Sequence, residues 1–208
     1  MAASKLGLYN AALRLIGERS LASLTEAREP RRALDEIYDA ALAFCLEQGQ
    51  WNFATRSIEA TPTPSIEPGF GYANAFLKPS DWVRTVGVCT DAYFREPLLE
   101  YTDEAGYWWS DLDDIFIRYV SNGANYGGDL SKWPASYQKF VELYMAVQVC
   151  PRLTSSETKE EKLKRDLRRA LIEARSRDAM NEASIVLPAG SWVRSRVAGF
   201  PGRRYDRA

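Results

Sequence analysis

The chain has 208 residues, 46% hydrophobic and 26% charged, enough to bury one ordinary core without a metal or disulfide staple. Its 27 basic and 28 acidic residues leave a formal charge of -1, which argues against a general grip on nucleic acid while leaving a local basic patch open. There is no histidine, which excludes Ser-His-Asp and Cys-His chemistry and the usual histidine metal sites; an enzyme here would work through carboxylates, lysine or tyrosine.

Cys45, Cys89 and Cys150 are odd in number and far apart, so they read as reduced core thiols rather than a disulfide framework or zinc ribbon. No window approaches the roughly 18 apolar residues of a membrane span, and the expectation is a protein kept in the cytoplasm or carried out in a particle, with no membrane partner.

In chain order, Leu6, Tyr9, Leu13 and Ile16 share one face of a first helix that Gly17 ends. A polar loop from Glu18 to Glu29 carries Leu21 and Leu24 as anchors. Pro30 opens a second helix with Leu34, Ile37, Tyr38, Ala41, Phe44 and Cys45 at helical spacing, and Gly49 stands in a C-cap position. The period then changes to two. Trp51 and Phe53 alternate with polar or small residues, and a Thr-Pro repeat at 61–64 breaks the segment. Strands are expected at Trp82 to Val88, Leu98 to Thr102, Tyr107 to Trp109 and Ile115 to Val120, joined as an antiparallel meander that Asn122-Gly123 terminates.

Beyond Pro134, Phe140, Leu143, Tyr144, Val147 and Cys150 mark a third helix, and Pro151 is expected to turn the chain between Cys150 and Thr154. The fourth helix has a narrow apolar stripe at Leu163, Leu167, Ala170, Leu171 and Ala174; its remaining faces are crowded with charge. The expected fold is mainly α: a four-helix bundle built from 1–52 and 131–184, a β-rich insertion at 53–130, and an extended C-terminal arm at 185–208.

Three constellations have bland readings that outweigh functional ones. Asp111, Asp113 and Asp114 lack the spacing of a calcium loop and suit a hairpin turn, though facing a cleft they would serve a carboxylate-based hydrolase. Gly123, Gly127 and Gly128 do not open a helix after a strand, which makes them a flexible loop rather than a nucleotide fingerprint. Trp108 and Trp109 on one strand point to opposite faces, one into the core and the other toward a neighbour.

Two features favour partners. The charged flank of the last helix, with Lys162, Arg165, Arg169 and Arg175, is an ordinary solvated face or else a subunit or channel face. The arm spaces Trp192, Arg194, Arg196, Phe200, Arg203, Arg204 and Tyr205 along a segment that cannot build its own core, which reads as a partner-binding arm.

The sequence resembles the tail tubular protein A family, the head-to-tail connector adaptor of short-tailed phages. The likeness rests on Leu15-Ile16-Gly17-Glu18 with the Ser20-Leu21 and Ser23-Leu24 loop, and on Gly49-Gln50-Trp51-Asn52-Phe53, where Gln50 is inserted into the family's Gly-Trp-x-Phe. It rests further on Leu77-Lys78-Pro79-Ser80-Asp81-Trp82-Val83-Arg84 and on the closing helix pair that starts at Pro134 to Tyr137. The resemblance spans most of residues 4 to 184. It implies a non-enzymatic virion protein without cofactor or metal, forming a homo-oligomeric ring of twelve copies between the portal protein and a tail nozzle, with phage DNA passing through the lumen. The arm residues named above would then reach the portal. The alternative from another class is a nucleic-acid-binding module that uses the arm's arginines.

Overall fold

A computed structural model describes residues 4–66 and 71–181. Four helices, α1 (Lys5–Ile16), α2 (Glu29–Glu47), α3 (Ala135–Thr154) and α4 (Glu157–Ala179), accompany six strands: β1 (Thr55–Ala60), β2 (Asn74–Leu77), β3 (Trp82–Cys89), β4 (Thr102–Glu104), β5 (Tyr107–Ser110) and β6 (Ile115–Ser121). The expected mainly-α four-helix bundle is not what forms. With 46% helix, 19% strand and two three-stranded antiparallel sheets, this is an α/β fold. The reason lies in α3, which is buried on every side through Tyr137, Phe140, Val141, Met145, Ala146, Val149 and Cys150. A helix with buried apolar residues around most of its circumference takes the centre, and α1, α2 and α4 each pack against it while α1 and α2 barely meet.

The strands do not form a meander either. Their orders are β1-β6-β3 and β2-β5-β4, and only β4 and β5 are a hairpin, turning through Ala105 and Gly106, both at positive φ. β1 pairs along its whole length with β6, Thr55 with Val120 through Ala60 with Ile115, so the chain enters and leaves the strand region side by side. On β6, Ile115, Ile117 and Tyr119 face a cluster with Phe76 and Trp108 of the second sheet. Val120, with Val83 and Val86, faces the helical core. The expected strand from Leu98 is a loop bridged at Cys89 and Pro97, and β2 forms where no strand is expected.

Local chemistry explains the helix ends. Gly17 at φ 84 caps α1 and sends its N–H back to Arg14 and Leu13 carbonyls, while the Lys159 ammonium donates to the Ile16 carbonyl at 3.1 Å. Gly49 is not the left-handed cap expected of it, because α2 ends at Gln48 in right-handed geometry. Its role is space: a Cβ there would sit 2.8 Å from the Trp51 ring. Pro151 does not break α3. It lies in the last turn and costs one backbone bond, and the reversal falls instead at Ser155, at φ 48. Neither Ser155 nor Ser156 gives α4 a side-chain cap.

The glycine loop after β6 is tightly bonded rather than flexible. Gly127 and Gly128 donate to the Ser121 and Gly123 carbonyls at 3.0 and 3.1 Å, and the Trp133 indole donates to the Gly127 carbonyl at 2.9 Å. A Cβ on Gly127 would approach the Ser121 carbonyl oxygen to 2.5 Å, whereas one on Gly87 would meet open space. Gly127→Ala should therefore destabilise the fold by about 1–3 kcal/mol in urea unfolding, with Gly87→Ala near neutral.

Candidate interaction surface

Two polar nodes tie distant segments together, one within the strand region and one between α4 and the segment that leads into β1. At the first, Asp81 gathers the Arg56 guanidinium at 2.9 Å, the Tyr119 hydroxyl at 2.9 Å and the Ser121 hydroxyl at 2.5 Å, and its carbonyl accepts from Asn122 N–H at 3.0 Å. Burial works to raise the Asp81 pKa, but the hydrogen bonds from Ser121, Arg56 and Tyr119 outweigh it and hold the carboxyl below its ordinary value. The Pro79-Ser80-Asp81 motif thus carries a structural carboxylate that fixes the start of β3 against β1 and β6.

The second node closes the end of α4. The Asp178 carboxylate, buried where α4 meets the Gly49–Phe53 motif, accepts from Asn52 N–H at 3.0 Å, and the Asn52 amide donates to the Asp178 carbonyl at 2.9 Å. Beside it, the Arg84 guanidinium donates to the Glu47 carbonyl at 3.2 Å and Arg175 to the Gln48 carbonyl, so two arginines sit at the negative end of α2. Trp51 lines the same recess; it is fully buried, its indole N–H donating to the Cys45 carbonyl at 3.1 Å and its ring 4.8 Å from that of Tyr137.

On α4 the expected stripe is buried or half-buried, and Lys162, Arg165, Arg169 and Arg175 are all exposed. Arg165, Arg168 and Arg169 form no ion pair among the described residues, while Lys164 and Arg177 pair with Glu160 and Glu173 one turn back. Arg175 is engaged at the α2 end, so it belongs to the second node rather than to the open flank. Ile172 and Met180 stand 68% and 80% exposed among these charges. Both escaped the sequence reading, as did Asp178. Asp178 follows Ala170 and Ala174 at four-residue steps along the buried stripe, and a carboxylate at such a position signals a built partner.

Trp192, Arg194, Arg196, Phe200, Arg203, Arg204 and Tyr205 lie outside the described residues. Asp111, Asp113 and Asp114 occupy an exposed turn, where Asp111 accepts from Ala73 N–H at 2.8 Å. Trp108 is buried, and Trp109 is half-buried with its ring 5.9 Å from Tyr107. Among the described residues no group of three or more Cys, Asp or Glu is placed to hold a metal ion, and no helix is long and apolar enough to cross a membrane.

Asp81→Asn should cost roughly 1–3 kcal/mol at neutral pH by leaving the groups gathered on it underpaired. Because the folded pKa is depressed, that contribution is present above the unfolded value of about 3.9 and is lost as pH falls through the folded value. Urea titrations of the two proteins should therefore converge only in acid. Asp178→Ala should cost a similar roughly 1–3 kcal/mol and speed hydrogen exchange at the Asn52 amide. Compared with known proteins, the chain matches no family model and no curated sequence.

Proposed function

We propose that this chain is a structural adaptor of a bacteriophage head-tail connector, a virion protein that forms a ring between the portal and the tail nozzle through which DNA passes. The observation that carries this reading is the state of α4. A helix of 23 residues lies on one side of α3 with a single buried stripe and leaves a long flank of exposed apolar side chains and of arginines that form no ion pair among the described residues. Such a flank suits contact with other subunits. The motifs that suggest the family are, moreover, the places where the fold is tied together: the Gly17 cap, the Trp51 and Asn52 anchor and the Asp81 node. In this reading the arm from 185 holds the portal.

The test is the mass of the protein alone and after mixing with the phage's portal rings, by light scattering on a sizing column. A discrete multimer on the portal is expected, with loss of portal binding when residues 185–208 are deleted. Unchanged portal affinity of the truncated chain would remove the arm from this role. If the protein ignores portal rings but binds duplex DNA with an affinity that falls steeply with salt, it acts as a nucleic-acid-binding module instead.

A further inference from the structure

The flank of α4 could face either the channel or a neighbouring subunit, and its composition separates the two. From 164 to 177 six Lys or Arg stand against Asp166 and Glu173, a surplus that a DNA channel could use. A surface that only watches DNA go by gains nothing from bare hydrocarbon, yet Ile172 and Met180 line a shallow recess together with Arg169, Glu173, Ser176 and Arg177. Apolar anchors inside a ring of charge are the composition of a protein contact.

The complementary surface is on the same chain. Between 90 and 114 there are eight carboxylates against the single base Arg95. Strand register gathers many of them at one end. Phe116 pairs with Cys89 and Ala60 with Ile115, which puts the loop after β3 and the turn at 111–114 side by side. That loop is stiff: the Asp91 carboxylate accepts from the N–H groups of Tyr93, Arg95 and Glu96 at 3.1, 2.9 and 2.8 Å, and Leu98 N–H returns to the Val88 carbonyl at 2.9 Å. It holds Tyr93 and Leu99 outward, 79% and 86% exposed. Here the pattern of α4 recurs with the balance of charge reversed: two exposed apolar side chains in an acidic stretch, with the Arg95 guanidinium 5.4 Å from the centre of the Tyr93 ring.

Resting on the ring reading above, we infer that the α4 flank around Arg165, Arg169, Ile172 and Met180 is a docking surface for a second copy of this chain, which presents its acidic strand end at Tyr93, Leu99, Asp113 and Asp114. The contact is heterologous. Each copy offers α4 to one neighbour and the strand end to the other, the arrangement that closes rings when the rotation per step divides the circle. Opposite charge sets the orientation, and burial of the four apolar side chains holds it.

Cysteine trapping and charge reversal test this. The three native thiols are buried, so cysteines placed on the surface react alone. Met180→Cys protein mixed with Leu99→Cys protein, or Ile172→Cys with Tyr93→Cys, should yield disulfide-linked heterodimers under mild oxidation in excess over either protein alone. The double variants Arg165→Glu/Arg169→Glu and Asp113→Lys/Asp114→Lys alter exposed side chains without ion pairs among the described residues, so circular dichroism should be unchanged. Each should self-associate at least about tenfold more weakly, from like charges brought together, and mixing the two should restore association. Trapping without portal binding would sustain this contact while sinking the connector reading. Portal-bound rings that form normally from both charge-reversed proteins would overturn the contact and leave the connector intact. Loss of duplex DNA binding in the arginine variant, with self-association and trapping yields unaffected by either change, would also overturn it, in favour of a channel face.

Discussion

The fold depends on the burial of Trp51. This one side chain ends α2, packs on α3 and starts the strand region. Its indole holds the Cys45 carbonyl, its ring lies against Tyr137 and Phe140, and its own carbonyl accepts from the Thr55 hydroxyl at 2.8 Å where β1 begins. An aromatic ring of this size removes a large apolar area from water, and its one polar atom must be satisfied inside. Gly49 leaves the room for it. Asn52, the next residue, is then in place to be gripped by Asp178, so the position of α4 follows from that of Trp51.

From this anchor outward, segments distant in sequence are linked by carboxylates as well as by apolar packing. Asp81 and Asp178 each collect donors from segments distant in sequence, Asp81 from β1 and β6 and Asp178 from the residue after Trp51. A third, Asp35, does the same between the first two helices, accepting the Tyr9 hydroxyl at 2.7 Å with Lys5 and Arg31 beside it. The Tyr9 bond is the main reason its pKa is lowered. Partly buried carboxylates with several donors orient the elements they join, because the geometry must satisfy all donors at once.

The helices were legible because their signals are local. The three- and four-residue spacing of Leu6 to Ile16 and of Leu163 to Ala174, and the cap at Gly17, need no tertiary knowledge. Errors came where neighbours decide. Pro151 looked like a turn, yet a proline in a final helical turn forfeits only the bond to the Val147 carbonyl, and α3 runs on to Thr154. The apolar surround of α3 was half seen, since one face suffices to predict a helix and the others decide whether it is central. Strand order was not legible at all, because pairing β1 with β6 across the intervening chain leaves no mark on either segment alone. At the interaction surface the charges of α4 stood out in sequence, but the exposure of Ile172 and Met180 did not, as only the packing of α4 on α3 settles which apolar side chains remain outside.

The side-by-side passage of β1 and β6 has a consequence for how such a protein can change. The chain leaves the helices at Thr55 and comes back at Val120, its neighbour across the ladder, so the two crossings form one narrow neck. The segment between them can lengthen or shorten at its far end while the helices keep their places, provided the two ends stay adjacent and β3 keeps Val83 and Val86 against the helical core. The helices with β1, β3 and β6 can thus remain a constant scaffold, and the loops and second sheet beyond them are free to diversify toward whatever surface they have to meet.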